Sequence, residues 1–379
     1  MISTQDHIIY GVERTKPSAS AFAIFAHHPH TGGDVVLKVL KEMQDKRYDL
    51  STIGKRKQCQ LEALGWNPKF TPGVYFGVAH IRETLEKLQE LERERRPLRE
   101  IGVEPVLEHP EQPEHLQKRY EYALLMRRLP ECCRLDKLLE KNKKDITVPT
   151  YLTVLLNRIH AIHSDHSNFP VFLLTTEVDP WGSMEQLYEK LRGNLTWFKD
   201  SLENLSRSSE TYKKLVGPYN QLVEKLPLAL EMQKYQELFK RRLDEGHIKR
   251  CHGDLKADNI WIETGPLYYL RPETGVRLLD CIDFNPSFYM IDTLSDIALL
   301  VADIQARTGN PDLAEAVLTG YLQISGEDED TARNLLAYYL VEKAMIGMIN
   351  SYIDDKKEEL GDGYREVVRQ RLGELMNRL

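Results

Sequence analysis

The chain has 379 residues, 41% of them apolar, which is enough to bury two hydrophobic cores of moderate size, so we expect two lobes or domains. Its formal net charge of -7 argues against a protein whose main task is to neutralise the phosphates of nucleic acid. No apolar stretch approaches the roughly 20 residues of a membrane-spanning helix. The composition therefore favours a small-molecule partner over nucleic acid or a membrane, and leaves the oligomeric state open.

The five cysteines favour a reducing compartment. Their number is odd, and the neighbours Cys132 and Cys133 cannot easily pair with each other. No secretory signal precedes the first charged residues. We therefore expect a cytoplasmic protein.

The first third of the chain predicts an antiparallel sheet. Short apolar runs bounded by turn residues indicate strands at 7–12, 21–26, 34–40, 74–79 and 122–126. After the third run we expect a helix that is capped by Ser51 and ends near 65–68. A charge-rich insert from about 82 to 118 precedes the last strand, and Leu85, Leu88 and Leu91 within it keep helical spacing.

After Pro130 the pattern becomes helical. Long helical patterns occupy 148–163, 184–205, 215–243 and nearly all of 294–379. Two strand-like pieces, at 260–263 and 276–284, are joined by a turn around Gly265. The sequence therefore predicts an α+β protein with an antiparallel-sheet lobe at 1–127 and a mainly helical lobe at 128–379.

The stretch CHGDLKADNIWI, at 251–262, contains the pattern H-G-D-x-x-x-x-N. Phosphoryl transfer from a nucleotide needs a carboxylate that orients and deprotonates the attacking hydroxyl, and a neutral oxygen ligand for Mg2+, both on one rigid loop. Asp254 is therefore the candidate catalytic base and Asn259 the candidate Mg2+ ligand. The alternative interpretation is a polar hairpin loop.

A second Mg2+ ligand is expected downstream. The run at 278–284 is predicted to be a strand, and it carries Asp280 and Asp283. Residues three apart on a strand face opposite sides, so only one of the two carboxylates would reach the metal. We favour Asp283, because it stands at the end of the predicted strand, and Asp280 remains the alternative.

These patterns resemble those of the aminoglycoside phosphotransferase and choline kinase superfamily. That superfamily has H-G-D-x-x-x-x-N, then I-D-[FW], then D-x-x-x-D-[IL]-A, which are matched at 252–259, 282–284 and 292–298. Three further runs resemble uncharacterised phosphotransferase domains that also occur fused to ATPase domains, at 71–78, 126–130 and 280–285. The resemblance covers nearly the whole chain except the insert.

The resemblance implies a bilobal protein-kinase-like fold and a kinase that uses ATP and Mg2+. Its acceptor would be a hydroxyl of a small metabolite such as a sugar, an amino sugar or an amino alcohol. Residues 1–127 would bind the nucleotide, and residues 128–379 would carry the catalytic loop and the acceptor site.

The resemblance also implies roles in nucleotide binding for residues of the first lobe. Lys38 resembles the lysine that holds the α- and β-phosphates, and Glu62, on the following helix, would pair with it. Lys41 competes with Lys38 for this role. In place of a G-x-G-x-x-G loop, this chain has a serine-containing turn in which Ser18 or Ser20 would donate to a phosphate, unless the turn is an ordinary one.

The connector between the lobes is expected to bind adenine. Its residues Met126, Arg127 and Arg128 follow the last strand of the first lobe, where backbone N–H and C=O groups can face a planar ligand. Because backbone groups form such contacts, the identity of these side chains matters little.

Three polar residues of the helical lobe are assigned supporting or acceptor roles. His252 is expected to support the catalytic loop from within the core, and Asp296 to tie the following helix to that loop. The alternative for Asp296 is simple charge compensation at the amino terminus of its helix. Lys343 lies in an otherwise apolar helix, where relatives carry a basic residue. It would either reach solvent or hold a hydroxyl or acidic group of the acceptor. His163 is expected only at a helix end, beside the carboxy-terminal dipole.

Two other functions compete with a small-molecule kinase. A protein kinase is disfavoured because only 285–291 separate Asp283 from the helix near Asp292, too short a stretch for the segment on which a peptide is bound. A catalytically dead nucleotide-binding regulator is disfavoured because Asp254, Asn259 and Asp283 are all present.

Overall fold

The computed structural model describes residues 8–18, 20–30, 32–44, 49–104, 121–141, 150–165, 181–263, 275–353 and 357–379. The chain divides into two compact units. The first comprises Met1–Pro130 together with Asp283–Asn285, and the second comprises Glu131–Ile282 and Pro286–Leu379. The predicted turn around Gly265 and the later part of the insert lie outside the described residues.

The described strands of the first unit form a closed antiparallel barrel. They are β1 (Ile8–Pro17), β2 (Ala21–His27), β3 (Asp34–Leu40), β4 (Tyr75–Ile81), β5 (Glu100–Glu104) and β6 (Glu121–Arg127). Their order is β1-β2-β3-β6-β4-β5, and β5 pairs back with β1. The predicted antiparallel sheet is confirmed. The sequence did not predict β5, because the short run EIGVE contains two charges and a glycine.

Period-two alternation on β2 and β3 builds the core of this barrel. Phe22 and Ile24 on β2, and Leu37 and Val39 on β3, point inward and are almost fully buried. Burying each such side chain contributes about 1.5–3 kcal/mol relative to leaving it exposed. The inward face of these strands therefore fixes the register of the sheet.

Two helices complete the described part of the first unit, α1 (Ile53–Phe70) and α2 (Leu85–Arg93). The predicted helix in the insert is confirmed as α2, with its three leucines buried. The predicted bounds of α1 are wrong at both ends: Thr52 is its cap, and Pro68 lies inside it. The helix continues because Asn67 is buried in its last turn, where its amide donates to Ala63 O and its oxygen accepts from the Tyr75 hydroxyl.

The second unit is mainly helical, as predicted. Its described helices are α3 (Leu135–Lys141), α4 (Thr150–Ser164), α5 (Met184–Glu203), α6 (Glu210–Glu231), α7 (Gln233–Asp244), α8 (Pro286–Tyr289), α9 (Thr293–Thr308), α10 (Pro311–Ser325), α11 (Glu329–Ile353) and α12 (Glu358–Arg378). The single helix predicted at 215–243 is wrong: extended backbone at Met232 separates α6 from α7. None of the helices described in either unit is long and apolar enough to cross a membrane.

Two small antiparallel pairs of strands lie among these helices. β7 (Ile248–Arg250) pairs with β10 (Met290–Asp292), and β8 (Ile260–Ile262) pairs with β9 (Val276–Leu278). The strand predicted at 276–284 therefore ends early, at Leu278. Asp280 has a positive φ of 57°, so the chain turns there and the alternation expected of a strand does not apply to Asp280 and Asp283.

Helix α9 is the buried centre of the second unit. It packs against α10, α11 and α12, and its residues from Thr293 to Ala306 are all buried. Among them are two carboxylates, Asp296 and Asp303, which stand seven residues apart and so project from the same face of the helix. Buried carboxylates need hydrogen-bond partners, and backbone N–H groups between His252 and Ala257 supply them.

Candidate functional site

The loop between β7 and β8 brings Asp254 and Asn259 together. The Asn259 side-chain amide donates to the carbonyl oxygen of Asp254 at 3.0 Å and to its Oδ2 at 2.8 Å. The ammonium of Lys256, which the sequence analysis did not single out, lies 3.0 Å from the same Oδ2. Within the described part of the second unit, Asp254 Oδ1 accepts no hydrogen bond. That oxygen is therefore placed to accept a proton from a hydroxyl group.

The orientation of Asn259 suits the binding of a hard cation. Its amide nitrogen is directed at Asp254, and its Oδ1 accepts no hydrogen bond from the described residues of the second unit. A neutral amide oxygen beside a carboxylate is the kind of donor that Mg2+ prefers. The residue fits the metal role predicted for it, and that role remains a prediction.

His252 supports the loop from the core as a neutral imidazole. Its Nε2 donates to Leu279 O at 2.9 Å, and its Nδ1 accepts from the Asp254 N–H at 3.3 Å. Burial lowers the pKa of His252, against the opposing effects of Asp296 and Asp254. Both hydrogen bonds need this neutral tautomer, because a charged ring would donate from both nitrogens.

Asp296 ties α9 to the loop, which confirms that prediction. Its two oxygens accept from the backbone N–H of His252 at 3.0 Å and of Gly253 at 2.9 Å. His163 Nε2 lies 3.1 Å from Oδ2. Burial alone would raise the pKa of Asp296. The hydrogen bond from His163, the electrostatic effect of the His163 ring and the hydrogen bond from the Gly253 N–H outweigh burial, so the pKa of Asp296 is lowered. The group remains a carboxylate at neutral pH.

His163 therefore has a role that the sequence analysis missed. It is buried, with Nδ1 2.7 Å from the Tyr321 hydroxyl and Nε2 against Asp296, rather than merely ending a helix. His163, Cys251 and Asp296 also present potential metal-ligating atoms within 4.8 Å of one another. Burial raises the pKa of the Cys251 thiol well above its usual range, which disfavours the thiolate that a metal needs. We interpret this cluster as structural.

Asp303 anchors the other end of the loop. Its Oδ2 accepts from the Ala257 N–H at 2.7 Å, and its Oδ1 accepts from the Tyr364 hydroxyl at 2.6 Å. The guanidinium of Arg307, one turn later on α9, lies 2.8 Å away. The two carboxylates of α9 thus hold both halves of the loop, which fixes the path of the backbone between His252 and Ala257.

Gly253 permits the loop to turn. Its φ is +83°, and a Cβ built there would lie 2.7 Å from the carbonyl oxygen of Phe288. Gly246 has a similar φ of +76°, but a Cβ there would meet nothing within 4 Å. Both glycines therefore have a left-handed backbone that disfavours other residues, but only Gly253 lacks space for a Cβ.

We expect Gly253→Ala to lower the free energy of unfolding by about 2–5 kcal/mol, and Gly246→Ala by about 1–2 kcal/mol. Left-handed backbone costs an alanine about 1–2 kcal/mol at either position, and overpacking adds about 1–3 kcal/mol only at Gly253. Urea titration followed by circular dichroism measures the difference. Equal losses for the two variants would contradict the close approach to Phe288.

Three residues predicted to bind nucleotide or metal act electrostatically on one thiol in the first unit. The Cys59 thiol interacts electrostatically with Lys38 on β3, Glu62 on α1, and Asp283. Burial, and then the charge of Asp283, raise the pKa of Cys59 to about 12, with Glu62 acting in the same direction and Lys38 against it. Asp280 is exposed, and its charge acts to raise the pKa of His252, in the second unit, rather than that of Cys59. This grouping favours Asp283 over Asp280.

The ion pair expected between Lys38 and Glu62 remains a prediction. Glu62 is exposed and accepts a hydrogen bond from Gln58 at 2.9 Å. Lys41, the competitor of Lys38, pairs with Glu92 at 3.2 Å and lies 4.4 Å from the centre of the Phe22 ring. Lys38 remains the better candidate, because it acts on the same thiol as Glu62 and Asp283.

One of the two serines in the serine-containing turn uses its hydroxyl within the turn itself. Ser18 Oγ lies 3.1 Å from both the carbonyl oxygen and the N–H of Ala21, so this hydroxyl stabilises the turn between β1 and β2. Ser20 accepts the Lys41 N–H through its carbonyl oxygen. Ser20 is therefore the better placed of the two serines to donate to a phosphate, and the interpretation as an ordinary turn fits Ser18.

The backbone of the connector is also partly used within the first unit. The N–H of Arg127 donates to Val74 O at 2.8 Å, and that of Arg128 donates to Asp34 O at 3.1 Å. The N–H groups of these two residues are therefore not available to adenine. Met126 belongs to β6 and pairs with β3 and β4.

Sequence comparison with known proteins finds relatives over only part of the chain. No family model matches the chain. Uncharacterised proteins of Mycobacterium tuberculosis and Mycobacterium bovis are 30% identical over 133 residues, which is 35% of this chain and only 24% of the relatives' own length.

Two solved structures of kinases match nearly the whole chain. A choline kinase from Cryptosporidium parvum Iowa II is 12% identical, with a TM-score of 0.50, over 98% of this chain and 91% of that one. An ethanolamine kinase from Plasmodium vivax is 10% identical, with a TM-score of 0.53, over 96% of this chain and 82% of that one. The chain therefore has the kinase-like fold that its motifs predicted.

Proposed function

We propose that this chain is a cytoplasmic phosphotransferase that uses ATP and Mg2+ and acts on a hydroxyl of a small molecule, such as a sugar, an amino sugar or an amino alcohol. The observation that carries the proposal is the geometry of the loop from His252 to Asn259. A carboxylate with one open oxygen lies hydrogen-bonded to an amide, on a backbone that two buried carboxylates hold in place. Phosphoryl transfer requires this kind of preorganisation.

In this proposal Asp254 is the catalytic base. Its Oδ1 accepts the proton of the acceptor hydroxyl while the hydroxyl oxygen forms a bond to the γ-phosphorus and the bond from that phosphorus to the bridging oxygen breaks. Lys256, held 3.0 Å from Oδ2, keeps the carboxylate oriented. ADP leaves with the bridging oxygen.

The remaining proposed roles concern the nucleotide and the metal. Bound Mg2+ would neutralise charge on the phosphates, and Asn259 and Asp283 are its proposed ligands. Lys38, oriented by Glu62, would bind the α- and β-phosphates, and Ser20 would donate to a phosphate. The connector from Met126 to Arg128 would contact adenine.

We expect Lys38→Ala to raise the KM for ATP at least tenfold, because it removes a charged contact to the phosphates worth about 1.5–3 kcal/mol. Lys41→Ala is the matched control: it removes a lysine three residues away that is already paired with Glu92. ATP titration at saturating acceptor measures both constants. If Lys41→Ala had the larger effect, the assignment of the two lysines would be reversed.

A protein kinase is the second candidate. The described chain after Asp283 passes directly into α8 and β10, which leaves no long segment on which a peptide could lie. A catalytically dead regulator is the third candidate, and the hydrogen-bonded pair of Asp254 and Asn259 weighs against it.

A coupled assay of ADP release over sugars, amino sugars and amino alcohols, run beside radiolabel transfer to protein, separates these functions. We expect ADP release that depends on a small acceptor and on Mg2+. Label transfer to protein alone would support the protein kinase. Nucleotide binding without turnover on any acceptor would support the regulator.

A further inference from the structure

A second group of buried charges lies in the helical unit, between α5 and α11. Lys190 belongs to α5, and Glu342 and Lys343 are neighbours on α11. The side chains of Lys190, Lys343 and Glu342 are 12%, 6% and 2% exposed. Lysine is rarely buried to this extent without a partner, and only a small part of the Lys343 side chain is exposed.

The single carboxylate of this group is too distant to satisfy both ammonium groups. Lys190 Nζ lies 3.8 Å from Glu342 Oε1, and Lys343 Nζ lies 4.0 Å from Oε2. The Asn194 amide instead donates to Oε1 at 3.2 Å. Neither ammonium donates a hydrogen bond within 3.5 Å to a residue in the described ranges of this unit. Both ammonium groups can therefore donate to a bound acceptor.

The charges do not balance. Two ammonium groups and one carboxylate leave one excess positive charge in a buried place. Burial, and then the charge of Lys343, lower the pKa of Lys190 to about 8, while Glu342 and the Cys251 thiol act in the opposite direction. The cluster therefore holds its second positive charge only weakly unless an anion is added.

The cluster also lies near the catalytic loop. Lys190 interacts electrostatically with Cys251, which directly precedes the loop that carries Asp254. Its helices belong to the same unit as the loop. A small molecule held by the two lysines would thus lie in the part of the molecule that presents the proposed catalytic base.

We propose that Lys190 and Lys343 bind an anionic group, a carboxylate or a phosphate ester, of the acceptor whose hydroxyl is phosphorylated. This inference rests on the proposed phosphotransferase function and narrows its substrate class to hydroxyl compounds that carry a negative charge. Glu342, held by Asn194, sets the spacing of the two lysines. Paired ammonium groups attract an anion and repel a cationic acceptor.

Binding of matched probes tests the proposal without requiring turnover. Glycerol, glycerate and glycerol 3-phosphate present the same hydroxyl with no charge, a carboxylate or a phosphate ester, and ethanolamine presents a cation. Calorimetry is run with saturating ADP and Mg2+, so that the nucleotide site is occupied. We expect at least one of the two anions to bind at least tenfold more tightly than glycerol and ethanolamine. Similar affinities for charged and neutral probes would overturn the proposal.

Substitutions locate the site. We expect Lys190→Met and Lys343→Met each to weaken binding of the anion at least about 30-fold, the cost of truncating one partner of a buried charge pair. Lys343→Arg, which keeps the charge, should retain most of the affinity and guards against a folding defect. Lys199→Met, on the same helix as Lys190 but 59% exposed, is the matched control. Unchanged affinity in both methionine variants would place the anion elsewhere.

Proton uptake gives a test on the unmodified protein. Because Lys190 is about half protonated near pH 8, anion binding there should take up roughly half a proton, and almost none near pH 6.5. Calorimetry in buffers of different ionisation enthalpy measures this. Anion binding without proton uptake at pH 8 would exclude Lys190 from the site.

Turnover separates failure of this inference from failure of the proposed function. ADP release only with neutral or cationic acceptors would leave the phosphotransferase standing and refute the anionic acceptor. Anion binding that depends on the two lysines, with no turnover on any acceptor, would keep the anion site and refute the phosphotransferase and the acceptor role together.

Discussion

Asp254→Asn is expected to lower the rate of phosphoryl transfer by about 10²- to 10⁴-fold, the range typical of a lost general base, while ATP still binds. The substitution keeps the size of the side chain. The new amide would turn its oxygen toward Asn259 and Lys256, which both approach Oδ2 at present, and would direct its NH₂ group outward. An NH₂ group cannot accept the proton of the acceptor hydroxyl.

Single-turnover product formation and binding of a fluorescent nucleotide separate the two effects. Asp244→Asn makes the same chemical change on a carboxylate that is 59% exposed at the end of α7, and should leave the rate unchanged. Near-normal turnover in Asp254→Asn would remove Asp254 from the role of base.

Asp283→Asn is expected to lower turnover at least 10²-fold, or about 3 kcal/mol in the barrier, because an amide is a poorer Mg2+ ligand than a carboxylate. Asp280→Asn should change it less than about threefold. The reason is the grouping seen in the structure: Asp283 belongs to the same unit as Lys38 and Glu62, whereas Asp280 is an exposed residue at a left-handed turn.

The two variants are matched, because asparagine tolerates the positive φ of Asp280 as aspartate does. Turnover measured across a range of Mg2+ concentrations reports the role directly, since loss of a metal ligand shifts the concentration needed for half-maximal rate. A larger loss in Asp280→Asn would exchange the assignments of the two carboxylates.

The sequence predicted the parts of the site that are encoded within short stretches. The pair of Asp254 and Asn259 was found because a fixed spacing of five residues on one loop suffices to bring them together. The sheet and most helices were found because alternation and helical periodicity are local signals. The link from Asp296 to the loop was inferred from the motif that contains it.

Contacts between distant parts of the chain could not be predicted in the same way. His163 supports Asp296 across 133 positions, and Lys190 approaches Glu342 across more than 150, so no local pattern connects them. The end of α1 was misplaced because burial of Asn67 overrides the usual effect of Pro68. The end of the strand predicted to reach 284 was misplaced, because the chain turns at Asp280 and no glycine marks that turn in the sequence.

The anchoring of the loop from His252 to Ala257 by α9 has a consequence for biosynthesis. The loop amides at His252 and Ala257 bond to carboxylates 44 and 46 positions later, and Asp303 in turn bonds to Tyr364, 61 positions beyond it. Chains emerge from the ribosome amino terminus first, at about 5–20 residues per second. The nascent loop must therefore wait several seconds for Asp296, Asp303 and Tyr364 to follow it, with its backbone donors bonded to water in the meantime. The loop is thus fixed only after Tyr364 has been made, well after the barrel strands of the first unit have been synthesised.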